Sequence, residues 1–268
     1  MAAMSLPAAS STSTVLITGG SSGIGAHLAR ELAGRGYNLT LVARREDRLR
    51  ELATELEAAH GIEVEPRSTD LADAAARADL IGGLLSGPLA VAGVCNCAGF
   101  GSAGRFSELS LARESEMVRL NVEALHELTG AFLPRMVERR SGAVLNVAST
   151  AGAQPIPGFA TYAATKAFVI TFSEAVHAEL SGTGVSVTSL CPGPTRTEFF
   201  DTFETPPLTK PDRLYMHPED VARHAVAAMI AGKRTVTPGA SNKATATAGR
   251  LAPRGALLPV LQRLGAAR

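Results

Sequence analysis

Residues 15–25 read Val15-Leu16-Ile17-Thr18-Gly19-Gly20-Ser21-Ser22-Gly23-Ile24-Gly25. A short apolar run leads into a glycine-rich turn, and the turn opens a helical pattern. Glycines at 19, 23 and 25 let the backbone turn tightly and approach a ligand. The helix that follows presents its positive N-terminus, a natural seat for a phosphate or pyrophosphate. A glycine turn alone is a weak signal; preceded by a strand and followed by a helix, it is a strong one. Residues Gly19, Ser21, Ser22, Gly23, Ile24 and Gly25 are therefore the expected nucleotide-facing turn.

Outward from this turn the chain alternates short apolar runs with longer helical ones. Strands are expected at Val15–Thr18, Asn38–Ala43, Glu63–Arg67, Val91–Asn96, Ala143–Val147, Ser186–Leu190 and Thr235–Thr237. Helices are expected to begin near Ile24, Arg45, Ala72, Leu109, Thr161 and Pro218. Such alternation with nearly continuous apolar strands predicts an α/β fold: a doubly wound parallel sheet of Rossmann type with helices on both faces. Ligands bind such sheets beyond the carboxyl ends of the strands, where the strand order switches. Gly19, Arg44, Asp70, Gly99, Ser149 and Pro192-Gly193 each follow a different expected strand, so they should meet at that end.

At 268 residues the chain suits one large domain. We expect a disordered tail over 1–13, a catalytic domain over 14–240 with a substrate lid at 199–218, and a basic C-terminal extension over 241–268. Residues 1–13 have neither the basic start nor the apolar core of a secretory signal. Three cysteines supply no disulfide framework and suggest a reducing, cytoplasmic setting. Cys95 and Cys97 read as small buried hydrophobes, and no metal site is expected. Residues 80–104 carry no charge but hold seven glycines and Pro88, which favours a buried strand with loops over a membrane span. Net charge is +1, yet residues 221–268 hold eight Lys/Arg and no acid. Such asymmetry marks either an acidic partner or a tail lying on its own acidic body. With three Tyr, no Trp and basic residues not interleaved with aromatics, nucleic-acid binding has little support.

The second strand bears on which nicotinamide cofactor fits. An acid at its end would bind the adenosine ribose and repel a 2′-phosphate. Here the segment reads Leu41-Val42-Ala43-Arg44-Arg45-Glu46, with Ala43 at the acid's place. Arg44 and Arg45 can form charge-assisted bonds to a phosphate, or else are a solvated helix start. The missing acid favours NADP(H) over NAD(H). Asp70-Leu71 is placed to border the adenine, and Asp70 also suits the cap of the helix at Ala72.

Tyr162 and Lys166 stand four residues apart, on one face of an expected helix. An ammonium beside a phenol favours the tyrosinate and lowers its pKa from about 10, which makes a usable acid near neutral pH. Ser149 lies upstream after the fifth strand.

With these motifs the chain resembles the short-chain dehydrogenase/reductase family over residues 14–240. The resemblance rests on Thr18…Gly25, Asn96-Cys97-Ala98-Gly99, Asn121 in Leu-Asn-Val, Ser149, Tyr162…Lys166 and Pro192-Gly193, in the family's order. The Tyr162–Lys166 spacing resembles the ketone-reducing branch, and members of the carbonyl-reductase type share Ala-Arg-Arg-Glu-Asp-Arg-Leu after the second strand. The resemblance implies that Tyr162 exchanges a proton with the substrate oxygen and that Ser149 hydrogen-bonds that oxygen. It implies that Lys166 lowers the Tyr162 pKa and holds the nicotinamide ribose, and that Asn121 holds a water linking Lys166 to solvent. Asn96, Ala98 and Gly99 would edge the cofactor, and Thr195 and Thr197 would meet its carboxamide. Cys97 departs from the family, where many members carry a second Asn. The family also implies a homodimer or homotetramer.

Phe100, Phe106, Ile156, Pro157, Phe159, Phe199, Phe200, Phe203 and Leu208 are the expected substrate surroundings, and they predict a small hydrophobic ketone, aldehyde or alcohol. Arg196 is the nearby cation, facing either an anionic substrate group or solvent. A 3-oxoacyl-thioester reductase whose basic C-terminus attracts a carrier protein or coenzyme A is the alternative. A non-catalytic nucleotide sensor is the alternative of another class; it would have no use for Ser149, Tyr162 and Lys166.

Overall fold

The computed structural model describes residues 5–202 and 215–265. Among them β1 (Ser13–Thr18), β2 (Asn38–Ala43), β3 (Val64–Ser68), β4 (Ala90–Asn96), β5 (Gly142–Val147), β6 (Val185–Leu190) and β7 (Thr235–Val236) form one sheet. Its order is β3-β2-β1-β4-β5-β6-β7, and every pairing is parallel. All the expected strands are present, with small shifts at their ends. The order reverses between β1 and β4, so the crevice at their carboxyl ends is the switch point.

Successive side chains on a strand point to opposite faces, and here both faces are covered. Val15 and Ile17 of β1 join one core with α1 (Gly23–Ala33), α2 (Glu46–His60) and α7 (Pro218–Ile230). Leu16 between them joins the other, with α3 (Ala74–Ser86) and α5 (Leu125–Glu138). This double burial is why β1 reads as a continuous apolar run. Helix α6 (Ala160–Glu179) lies beside α5 on that second face and carries Tyr162 and Lys166. Between α4 (Leu111–Val118) and α5 the helix widens into a π turn over Arg119–Ala124, which contains Asn121.

Helix α3 starts later than expected. Asp73 caps it, accepting from the Ala76 N–H at 2.8 Å, while Asp70 accepts from the Ala72 N–H at 3.0 Å in the preceding turn. Asp70 is thus a turn residue and not the helix cap.

The expectation of a disordered tail over 1–13 fails from residue 5 onward. Leu6 is fully buried in the first core. The Ser5 N–H donates to the Ile230 carbonyl, the Ser5 carbonyl accepts from the Gly142 N–H, and the Tyr37 hydroxyl donates to the Pro7 carbonyl. One buried leucine with satisfied backbone on both sides fastens the segment, and its Ala/Ser-rich composition hides that. The basic extension likewise folds back: α8 (Ala240–Leu251) packs on the turn at Thr150–Ala153 and reaches α6 through an Arg250–Glu174 ion pair at 3.1 Å, and α9 (Arg254–Gly265) follows. Residues 203–214 of the expected lid, with Phe203 and Leu208, lie outside the described residues.

Leu6→Ala is expected to lower the unfolding free energy by about 2–5 kcal/mol in urea denaturation, the range for emptying a buried leucine site. A loss below about 0.5 kcal/mol would show the segment to be loosely held.

Candidate active site

The carboxyl ends of β1, β4, β5 and β6 frame a cleft of ≈ 1090 Å³. Its floor is the close approach of the glycine turn to the exit of β4. The Thr18 hydroxyl accepts from the N–H groups of Cys97 and Ala98, each at 3.0 Å. Gly19 sits at φ +68°, and a Cβ there would lie 2.9 Å from the Ala98 nitrogen. A Cβ on Gly25 would lie 2.2 Å from the Gly19 carbonyl oxygen, so only glycine closes this turn.

The residues present fit a dinucleotide. Ser22 at the N-cap of α1 makes no side-chain cap bond, and the first turn holds no acid. The leading N–H groups therefore remain available to an anion. Ser21, Ser22, Gly23 and Ile24 line the cleft beside them. Toward one end the cleft is bordered by Arg44, Arg45, Asp70 and Leu71, and toward the other by Ser149, Tyr162, Lys166, Pro192, Gly193, Thr195 and Thr197. Arg45 bonds the Ser21 hydroxyl through Nε and Nη2 at 3.3 and 3.2 Å, which sets its guanidinium over the turn. Ala98 and Gly99 also line the cleft.

Asn96, expected at the cofactor, does not line the cleft. It is buried, and its amide donates to Thr129 Oγ1 at 3.1 Å and to Asn146 Oδ1 at 2.9 Å. Strand alternation turns it under the sheet and leaves Cys97 and Ala98 to face the cleft. Asn121 is buried as well, and its side chain is committed to the β4 exit. Its amide oxygen accepts from the Phe100 N–H at 3.1 Å, while its nitrogen donates to the Phe100 carbonyl at 2.9 Å and to Thr165 Oγ1 at 3.3 Å.

Tyr162, Ser149 and Lys166 come together at the wall between α6 and the end of β5. Ser149 caps a 3₁₀ turn at Thr150–Ala153, accepting from the Ala151 N–H at 3.1 Å, and lines the cleft with Tyr162. Lys166 Nζ donates to the Val147 carbonyl at 2.8 Å and lies 5.8 Å from the Tyr162 ring centroid. Burial pushes the Tyr162 phenol up to about 12, with the Ser149 hydroxyl opposing. Burial also pushes the Lys166 ammonium down to about 8, with the Cys97 and Cys191 thiols opposing. The expected lowering of the Tyr162 pKa is therefore reversed. Withdrawing the phenolate from water outweighs the ammonium, which is itself held to a carbonyl. Cys97, at the family's Asn position, is a neutral thiol that burial holds near pKa 12.

Of the expected substrate neighbours, Phe100, Ile156, Phe159 and Phe199 line the cleft. Phe106 is 59% exposed, and Pro157 and Arg196 do not line it. The Phe199 ring lies 5.5 Å from that of Tyr162. The sequence reading missed Gln154, Glu198, Tyr215 and Thr245, all of which line the cleft. Glu198 directly follows Thr197 and could have been found by continuing that segment. Thr245 is carried in by α8 and leaves no local signal.

Comparison with known proteins agrees with this geometry. The family model described as short chain dehydrogenase matches residues 13–207. A sulfoacetaldehyde reductase of Chromohalobacter salexigens is 39% identical over 187 residues, spanning 69% of this chain and 73% of its own length. A short-chain dehydrogenase from Sphingobium yanoikuyae, solved in complex with NADPH, superposes with a TM-score of 0.81 at 33% identity, covering 92% of this chain and 95% of that one. The bulky-bulky ketone specific alcohol dehydrogenase from Comamonas testosteroni gives 0.77 at 28% identity, covering 90% and 93%. With a glycine turn, Ser149, Tyr162 and Lys166 gathered in one cleft of a matching fold, the chain belongs to the short-chain dehydrogenase family of oxidoreductases, which use nicotinamide cofactors.

Proposed function

We propose that this protein is an NADP(H)-dependent reductase of the carbonyl reductase type, interconverting a hydrophobic ketone or aldehyde and its alcohol. One observation carries the reading. The Tyr162 hydroxyl opens onto a cleft whose substrate end is walled by Phe100, Ile156, Phe159, Phe199 and Tyr215, while Arg44 and Arg45 stand at the opposite end. Apart from Lys166, no cation among the described residues lines the substrate end. Among the described residues, a sulfonate or carboxylate substrate would find no guanidinium at that end.

The nicotinamide, when bound, supplies or accepts the hydride. The chain's residues handle the charge that then appears on the substrate oxygen. Ser149 and Tyr162 line the same cleft, where both hydroxyls are available to donate to that oxygen, and donors fixed before the reaction cost no reorganisation as charge develops. A phenol kept protonated by burial is suited to giving its proton in reduction. Lys166, anchored on the Val147 carbonyl, holds positive charge beneath the phenol and a donor for the cofactor ribose. Asn121 fixes the β4 exit at Phe100 and thereby the edge of the pocket.

The alternative of a 3-oxoacyl-thioester reductase is supported by α8, which brings Thr245 into the cleft wall and carries the exposed Lys243. A homodimer or homotetramer is supported by the exposed apolar side chains of Leu111 and Val118 on α4 and Phe168 on α6. Among the described residues no helix is long and apolar enough to cross a membrane.

NADPH oxidation against a panel of apolar ketones, aldehydes and 3-oxoacyl thioesters tests the reading. Turnover is expected with apolar ketones or aldehydes, and Tyr162→Phe is expected to lower it by about 10²–10⁴-fold while NADPH still binds. Undiminished turnover in the variant would remove Tyr162 as the acid, and binding without any turnover would favour the sensor. Thioester turnover that falls steeply with salt would favour the carrier-bound substrate, because exposed charge attraction is screened over about 8–10 Å.

Lys166 also makes a prediction about stability. Its folded value of about 8 lies below the ordinary 10.5, so between these pH values the unfolded chain binds the extra proton. Wild-type stability relative to Lys166→Met should therefore rise with pH above about 8, by ~1 kcal/mol from pH 8 to 9. Urea unfolding at pH 7, 8 and 9 measures it; a difference that stays flat would place the folded value near 10.5.

A further inference from the structure

Across the cleft mouth from the glycine turn, Glu198 is held by two arginines of the second βα unit. Its Oε2 accepts from Arg45 Nη1 at 2.9 Å, and its Oε1 accepts from Arg48 Nη1 at 2.6 Å. Arg45 simultaneously bonds Ser21 in the turn, and both Arg45 and Glu198 line the cleft. Each carboxylate oxygen thus takes its own guanidinium, an arrangement that a phosphate monoester reproduces with more oxygens and more charge. The two arginines hold the Glu198 carboxyl below the ordinary carboxylate range. Glu198 also opens the 3₁₀ turn Glu198–Thr202, whose next residue, Phe199, packs against Tyr162.

We propose that Glu198 is an internal competitor for the cofactor's 2′-phosphate, a cofactor-selecting residue that ties the phosphate to the turn over Tyr162. Without nucleotide, Glu198 holds Arg45 and Arg48. A 2′-phosphate draws Arg45 away and loosens the turn that carries Phe199, whereas a nucleotide lacking it leaves the ion pairs in place. The acid therefore lowers the net gain from the 2′-phosphate, and the proposal rests on the NADP(H) reading above. All three side chains are 42–45% exposed, so the competition is modest and sensitive to salt.

Calorimetric titration with adenosine 2′,5′-bisphosphate and with 5′-AMP, which differ only in the 2′-phosphate, tests it on the intact protein and on Glu198→Gln. The variant is expected to bind the bisphosphate about two- to fivefold more tightly and 5′-AMP unchanged, with the gain shrinking in high salt. A wild type that prefers the bisphosphate, with a variant no tighter, would overturn the competition and leave the NADP(H) reading standing. Equal tightening of both ligands would also overturn it, as a general effect of removing negative charge. If neither protein prefers the bisphosphate, the NADP(H) reading fails and the proposal with it. Hydrogen exchange over residues 196–202 of the wild type reads the coupling. Faster exchange with the bisphosphate than with 5′-AMP supports it, and equal or slower exchange overturns the release of the turn.

Discussion

The structure depends on how closely β1 and β4 approach at their carboxyl ends. There the Thr18 hydroxyl accepts two backbone N–H groups, from Cys97 and Ala98, and Gly19 passes the Ala98 backbone with no room for a Cβ. That contact brings the glycine turn and the β4 exit together as one floor. Every other part of the site is placed relative to it: α1 starts from the turn, and Asn121 clamps the exit at Phe100.

The wall opposite is set by polar groups that satisfy the backbone at a strand end. Lys166 closes on the Val147 carbonyl and Ser149 on the Ala151 N–H, so both side chains are held by the end of β5 before any substrate arrives. Holding them dry has an electrostatic consequence. The phenol of Tyr162 resists ionisation, and the ammonium of Lys166 loses part of its preference for charge. Burial therefore governs both groups, and their mutual attraction is secondary.

The cleft is more charged at its mouth than along its substrate wall. Arg44 faces Glu116 at 3.6 Å, and Arg45 and Arg48 share Glu198. Positive charge offered to a nucleotide is thus partly neutralised by the protein's own acids. These pairs are exposed and individually weak, which suits groups that must exchange partners.

By itself the sequence determined most of the sheet, because strands buried on both faces are largely apolar and β1, β2, β4 and β5 show this locally. The edge strand β3 (Val64-Glu65-Pro66-Arg67-Ser68) is mostly exposed and does not. The sequence also pointed to the glycine turn, Arg44, Arg45, Ser149 and the Pro192–Thr197 segment, since each follows a strand end and a parallel sheet gathers those ends at one edge, and to Tyr162 and Lys166 by their spacing on one helix face. Tertiary structure alone decided what depends on distant partners. It turned Asn96 away from the cleft, raised the Tyr162 pKa, fastened Leu6 into the core, and brought Thr245 of α8 into the wall. It also set Glu198 against Arg45 and Arg48, some 150 residues apart in the chain. Periodicity records which way a residue points relative to its own element. Desolvation and ion pairing depend on what else arrives there, and no local pattern records that.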